Sequence, residues 1–160
     1  MVIYQDQLEG GLRFPLDPFV KLFFNRYNIA HGQLYPNSYC ILTRYIELMH
    51  REGREPDFDM LRHMYSLNKK KGELTFSLAA VPSLNLFSKL QDLPKSWRHQ
   101  YFIIEHPFEF FIIRHLWVDE YYKIKRPTKL PSEDLELAIK LHQLCLAEGT
   151  SAKNYSQRYL

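Results

Sequence analysis

Residues 10–39, GGLRFPLDPFVKLFFNRYNIAHGQLYPNSY, decide the fold that we expect for this chain. Asp17 and Pro18 predict a helix start, because an aspartate side chain accepts hydrogen bonds from the first-turn N–H groups and proline suits the first helical position. Asn28 predicts the helix end. The side chains that recur at helical spacing between these signals predict one face of the helix, made by Phe19, Leu22, Phe23, Arg26 and Tyr27 and widened by Val20 and Phe24.

A second helix is expected over about residues 37–52, with Asn37 or Ser38 as its N-terminal cap. Its apolar positions predict a buried face made by Tyr39, Leu42, Tyr45, Ile46 and Met49. Two apolar helices joined by a short connection should pack against each other. We therefore interpret the aromatic side chains of this region as core residues rather than as a ligand site.

The third predicted helix covers about residues 58–67 and is capped by Asp57. The polar residues 68–72, which include three consecutive lysines, should form a basic loop after this helix. The apolar period then changes from about 3.6 to about 2 residues, which predicts a half-buried strand. The apolar positions of this strand are Leu74, Phe76 and Leu78.

Three less regular stretches follow. Residues 84–90 are a weak strand candidate, and residues 100–104 are predicted to be a buried strand because they are aromatic and β-branched. Residues 108–122 begin with a segment that is apolar on all sides, and we interpret them as a helix. A hairpin partner for the preceding strand remains the alternative, because periodicity does not separate the two.

The composition of the 160-residue chain, which is 46% apolar, predicts one folded domain and argues against disorder. The boundaries that we expect are 1–122 for the domain, 123–131 for a basic linker with prolines, 132–149 for a last helix and 150–160 for a loose tail. Ser132 is the predicted cap of the last helix and Gly149 its end. The predicted order along the chain is N-terminal helices, a small antiparallel sheet and C-terminal helices. This order defines an α+β fold in which helices dominate.

Two motifs at residues 11–19 (GLRFPLDPF) and 33–39 (QLYPNSY) follow a recurring pattern, with Tyr39 where tryptophan is usual. Glu55 and Pro56 before a helix fit the same pattern, as do residues 96–98 (SWR) before the apolar residues 101–104. In these motifs the chain resembles the gypsy-type transposon domain of plants. The resemblance covers about residues 3–105. It implies a retrotransposon-derived domain without a defined biochemical activity.

The sequence contains no motif of a catalytic, metal or cofactor site. None of the seven histidines pairs with another histidine or a cysteine at helical spacing: His31, His50, His63, His99, His106, His115 and His142. Cys40 and Cys145 are too far apart for a zinc knuckle, and phosphate-binding loops and nucleophile motifs are absent. The acidic candidates for a two-metal site lack the required strand order: Asp57, Asp59, Glu105 and Asp119. We expect neither enzyme activity nor a cofactor.

Basic loops give nucleic-acid binding as an alternative function. The formal net charge of +3 is mild, whereas dedicated nucleic-acid domains are usually more basic. Stacking on an aromatic ring together with phosphate contacts would suit single strands. The candidate contact residues are Lys69, Lys70, Lys71, Lys95, Trp97, Arg98, Lys123, Lys125, Arg126 and Lys129. The competing interpretation is that these side chains only keep an apolar domain in solution.

Protein interaction or self-assembly, as a homo-oligomer or with another protein, is the function that we expect first. Leu137, Leu141 and Leu144 form one row that could face a partner helix, and the surplus of aromatic residues could supply anchors. The resemblance to a retroelement domain also implies a structural, capsid-like context. The N-terminal residues lack signal-peptide features and no apolar run is long enough to span a membrane, so we expect a cytoplasmic or nuclear protein without a membrane partner.

Overall fold

The computed structural model of the chain describes residues 2–90, 96–105 and 116–149. Its helices are α1 (Gln5–Glu9), α2 (Pro18–Tyr27), α3 (Pro36–Arg51), α4 (Phe58–Met64) and α5 (Ser132–Glu148). Its strands are β1 (Val2–Tyr4), β2 (Tyr65–Lys69), β3 (Phe76–Ala80) and β4 (Tyr101–Ile103), with 3-10 turns at His31–Gln33 and Pro82–Leu84. Among the described residues, β1 pairs with β4 and β2 with β3, both antiparallel. The predicted α+β class with dominant helices is confirmed.

Helix α2 forms as predicted at both ends. Asp17 caps the helix, since its Oδ1 atom accepts a hydrogen bond of 2.7 Å from the Phe19 N–H. Asn28 ends the helix in the left-handed conformation, with φ of 54°. The buried face matches the predicted one except at Leu22 and Arg26, which are exposed. The buried side chains are Phe19, Val20, Phe23, Phe24 and Tyr27.

Helix α3 begins slightly earlier than predicted, and its predicted cap was wrong. Tyr35 precedes the helix without a side-chain cap, and Pro36 occupies the first helical position. The hydroxyl of Ser38 instead accepts a hydrogen bond of 2.9 Å from the Leu78 N–H. This bond ties α3 to β3, so a residue that looked like a local cap serves a tertiary contact.

Helix α4 is shorter than predicted because the chain changes to strand β2 at Tyr65. Asp57 caps the helix as predicted, with the Met60 N–H donating to its Oδ1 atom over 2.7 Å. From Tyr65 the chain pairs with β3, in a register that sets Tyr65 opposite Ala80. This pairing satisfies the backbone groups across the hairpin, so the predicted basic loop starts only after Lys69.

The weak strand predicted over residues 84–90 did not form, and the described end of the helix predicted over residues 108–122 is not helical. Residues 84–90 contain no regular strand, because the Tyr65 hydroxyl holds this segment: it accepts from the Leu86 N–H over 2.7 Å and donates to Asn85 Oδ1 over 3.0 Å. Residues 116–122 are irregular and do not continue the predicted helix. The remainder of that prediction, residues 108–115, lies outside the described residues.

Strand β4 is confirmed, but the prediction that it is buried was wrong. Its register with β1 sets Phe102 opposite Ile3, and Ile3 is fully buried. The exposed fractions of Tyr101, Phe102 and Ile103 are 57%, 49% and 74%. The apolar side chains of β4 are thus largely exposed, and β1 is the only strand that pairs with β4 in the described part of the chain.

Helix α5 packs against α4 and the Pro82–Leu84 turn through Ala138, Leu141 and Cys145, which are buried. Ser132 is the first helical residue rather than the predicted cap, and the preceding Pro131 offers no side-chain cap. Gly149 ends the helix in the left-handed conformation, as predicted. Because Leu141 lies inside the core of its own chain, the predicted leucine row does not offer this side chain to a partner helix.

Ion pairs also join α5 to α3 and to the residues that follow α3. The Glu148 carboxylate accepts hydrogen bonds from Arg44 and from Arg51, which is 3.3 Å away, and both arginines belong to α3. Asp134 lies 2.6 Å from Arg54, just after α3. These pairs fix the last helix on the surface of the N-terminal helices.

Candidate functional site

Residues 117–127, which we call the strap, cross the surface formed by α2, α4 and the β2–β3 hairpin. The Gln33 side chain holds one end of the strap: its Nε2 atom donates to the Val118 carbonyl over 2.7 Å, and its Oε1 atom accepts from the Val118 N–H over 3.0 Å. Gln33 is fully buried and also donates to the Leu74 carbonyl over 2.8 Å. This glutamine begins the QLYPNSY motif, so the motif positions a segment far along the chain.

The middle of the strap is bound to two elements. The Tyr122 N–H donates to the Tyr27 carbonyl at the end of α2 over 2.9 Å. The Tyr121 hydroxyl donates to the Leu67 carbonyl of β2 over 3.0 Å. Both bonds are to the backbone of regular elements. They therefore fix the position of the strap just before its basic residues, Lys123 and Arg126.

A groove of about 230 Å³ lies beneath the strap, and we call it the basic groove. Three cationic residues line it: Arg62 belongs to α4, and Lys123 and Arg126 belong to the strap. The rest of its wall is mainly aromatic and aliphatic and includes Tyr27, Tyr65, Leu67, Tyr121 and Ile124. The groove therefore combines positive charge with an apolar wall, of which Tyr121 and Ile124 are partly exposed.

Arg62 is the most buried cation of the groove, with 9% of its surface exposed. Its Nη1 atom lies 3.1 Å from Asp59 Oδ1, and its guanidinium carbon lies 5.7 Å from the centre of the Phe58 ring. Its Nε–H is buried and has no hydrogen-bond acceptor among the described atoms.

Two tyrosines of the groove, Tyr27 and Tyr65, keep their hydroxyl protons at physiological pH because their pKa values are raised. Burial raises the pKa of Tyr27 to about 12, although the nearby Arg62 lowers it. Burial also raises the pKa of Tyr65. Their side chains are neutral, so they add no negative charge to oppose the three cations.

Of the other predicted lysines, Lys69 and Lys70 contact groups of their own chain and do not line the groove. Lys69 Nζ donates to the Asp119 carbonyl over 2.5 Å, and Lys70 Nζ lies 4.9 Å from the centre of the Tyr35 ring. Lys71, Lys125 and Lys129 are exposed, whereas Lys95 lies outside the described residues.

Trp97 and Arg98 form a packed cluster with Tyr4 and Tyr35. The Trp97 ring lies 5.1 Å from the Tyr4 ring and 5.2 Å from the Tyr35 ring, and only 3% of the residue is exposed. The Arg98 guanidinium lies 5.5 Å from the indole centre and 3.6 Å from Glu73 Oε2. In this arrangement the indole has no open face on which a base could stack.

Sequence reasoning named Lys123 and Arg126 of the groove and missed Arg62. Arg62 sits on an amphipathic helix beside Asp59, where an exposed ion pair is the ordinary expectation. The spacing of charges within α4 carries no signal that a distant strap covers this arginine. The groove therefore emerges only when the segments are brought together.

The described histidines and cysteines have structural contacts. His31 Nε2 lies 2.8 Å from the Val2 carbonyl, and His142 Nδ1 lies 2.6 Å from the Asn85 carbonyl. Cys40 and Cys145 are both buried and free. Within the described ranges, no three His, Cys, Asp or Glu side chains are placed to hold one metal ion. No helix of the described chain is long and apolar enough to cross a membrane.

A second cavity, of about 160 Å³, lies against the GLRFPLDPF motif and is lined mainly by apolar side chains, including Leu12, Leu16, Val20 and Ile46. Gly11 borders it with φ of 107°, and a Cβ atom there would lie 2.6 Å from Thr43 Oγ1. Glycine is required at this position for both reasons. The motif thus specifies a close approach of the chain to α3 rather than a set of chemical groups.

The comparisons with known proteins agree with the sequence motifs. Neither a curated protein nor a solved structure matches the chain. The matched family is described as "Putative gypsy type transposon", and the match covers residues 2–69, which are 68 of the 160 residues. The match ends with β2, so residues 96–104 of the expected resemblance lie beyond it. Through residues 2–69, this chain is similar to the gypsy-type transposon family, as the motifs at residues 11–19 and 33–39 predicted.

Proposed function

We propose that this domain is a non-enzymatic interaction module that self-associates through strand β4. The observation that carries the proposal is the exposure of three consecutive apolar side chains on a strand whose only described partner is β1. An edge strand offers unpaired N–H and C=O groups to another chain, and exposed apolar side chains favour such a contact in water.

A second copy of the chain is the partner that we propose, because antiparallel pairing of two identical edges is self-complementary. β4 has three residues, so a two-fold axis at its centre sets Phe102 opposite Phe102 of the second copy. Aromatic pairs on neighbouring strands stabilise such a sheet. Val2, which is exposed and lies opposite Ile103 in β1, extends the apolar surface.

The test is the mass of the protein by light scattering over a range of concentrations. A range from about 5 to about 500 µM covers association free energies of roughly 4.5 to 7 kcal/mol. We expect the mass to rise toward that of a dimer, and we expect Phe102→Lys together with Ile103→Lys to abolish the rise. A lysine on an edge strand opposes pairing with another strand.

Leu146→Lys is the matched control, because Leu146 is an exposed apolar residue on α5, away from β4. This variant should associate like the unchanged protein. A mass that stays monomeric at all concentrations would refute the proposal. Equal loss of association in the β4 variant and the Leu146 variant would also refute it, because it would indicate nonspecific apolar contact.

Sequence-tolerant nucleic-acid binding is the second candidate function, and the basic groove is the observation that favours it. Lys123 and Arg126 line the groove, whereas Lys69, Lys70 and Arg98 contact groups of their own chain. We further propose that the protein acts in the cytoplasm or nucleus. The two buried free thiols support this location, because they suit a reducing compartment.

A further inference from the structure

We propose that the basic groove binds the phosphate group of a nucleotide through Arg62, Lys123 and Arg126. The inference is independent of self-association through β4. It gives the second candidate function a defined site, but it does not rest on it, because a free mononucleotide would fit the same chemistry.

Arg62 has a buried Nε–H group without a hydrogen-bond acceptor among the described atoms. A buried N–H without an acceptor costs about 1–3 kcal/mol, so such a donor indicates a missing partner. The guanidinium presents its donors in a planar fork that matches the oxygens of a phosphate. Asp59 occupies only the Nη1 side of this fork.

The cations of the groove outnumber the carboxylates that pair with them. Within the described part of the chain, Asp59 is the one carboxylate that forms an ion pair with a cation of the groove, and most of its side chain is exposed to solvent. Lys123 and Arg126 form no ion pair with a described residue. Three cations against one solvated carboxylate leave an excess of positive charge that an anion would neutralise.

The apolar part of the groove wall favours an anion that also carries an apolar group. The groove wall is mainly apolar, and Tyr121 and Ile124 of the strap are only partly buried. A small inorganic anion would leave this surface unused, whereas a nucleotide would place its base there and its phosphate on the cations. Bases stack well on aromatic side chains, and stacking tolerates different bases.

The test measures binding of four probes by titration at low and at moderate salt: adenosine monophosphate, adenosine, inorganic phosphate and a short single-stranded RNA. We expect adenosine monophosphate to bind more tightly than phosphate, and adenosine to bind weakest. In NMR spectra the Arg62 Nε–H signal should shift when adenosine monophosphate is added. If the RNA binds more tightly than the mononucleotide, nucleic acid is the source of the phosphate; if not, a free nucleotide is.

Two pairs of substitutions on one segment separate the groove from general charge. Lys123→Gln with Arg126→Gln removes two exposed cations of the groove and should weaken binding by roughly 10-fold or more. Lys125→Gln with Lys129→Gln removes the same charge from positions that do not line the groove and should change affinity by less than about 2-fold.

An equal loss in both double variants would overturn the inference, because it would show that only net charge matters. Binding of adenosine as tight as that of adenosine monophosphate, or no binding of any phosphate probe, would also overturn it. None of these substitutions touches β4, so their outcome is distinguishable from that of the self-association test.

Discussion

Residues 69–71 with Trp97 and Arg98, and residues 123–129 of the strap and its continuation, are both rich in lysine and arginine, yet their surroundings differ. In the first region Lys70 contacts Tyr35, and Arg98 contacts Trp97 and Glu73, all of their own chain. In the second region Lys123 and Arg126 line a groove that also contains a buried arginine. The comparison teaches that a basic stretch is available to a ligand only where the fold leaves its charges without internal partners.

The largest expected effect concerns Trp97. If its ring is a packing residue, Trp97→Ala should lower the free energy of unfolding by about 3–5 kcal/mol, as truncation of a buried aromatic side chain does. Denaturant titration measures this value. Tyr122→Ala, at an exposed aromatic position, is the control and should cost less than about 0.5 kcal/mol. If Trp97→Ala lowered the free energy of unfolding by as little as Tyr122→Ala, the indole would not be a packing residue and could instead stack on a base.

A smaller effect is expected where Gln33 holds the strap. Gln33→Ala would leave the Val118 groups and the Leu74 carbonyl without their partner and should cost about 2–3 kcal/mol. Hydrogen exchange at the Val118 and Tyr122 amides should become faster, because the strap would open more often. Gln143→Ala on the exposed face of α5 is the matched control. Unchanged exchange at both amides would show that Gln33 does not fix the strap.

The smallest effect is expected at Lys70. Lys70→Gln removes a cation from the face of Tyr35 and should lower stability by about 0.5–1 kcal/mol. Its effect on the affinity for adenosine monophosphate should be less than about 2-fold, since Lys70 does not line the groove. Lys71→Gln, at an exposed neighbouring lysine, should change neither quantity. A loss of affinity at Lys70 comparable to that of the groove variant would erase the distinction between the two basic regions.

Local signals in the sequence predicted several features correctly because their causes are local. Asp17 and Asp57 cap helices through hydrogen bonds to residues two or three positions away. Asn28 and Gly149 end helices because they tolerate the left-handed conformation. The 3.6-residue period of α2 identified its buried face with two exceptions, Leu22 and Arg26.

The errors arose where a distant partner decided the outcome. Tyr65 continues the helical pattern of α4, yet pairing with Ala80 turns it into the first residue of a strand. Ser38 resembles a cap, yet its hydroxyl accepts from Leu78. The apolar residues of β4 resemble a buried strand, but burial depends on what lies on either side of a strand, which the strand itself does not contain.

Local patterns were therefore enough to predict the α+β class, the main helices, the N-terminal caps of α2 and α4, and the likeness of the N-terminal part to the gypsy-type transposon family. Which cations have internal partners and which line the groove depends on how distant segments pack together. Helix caps and periodic faces act over a few residues, whereas the groove needs α2, α4, β2 and the strap to meet. Gln33 brings the strap there across 85 positions of sequence, a distance over which no local pattern carries information.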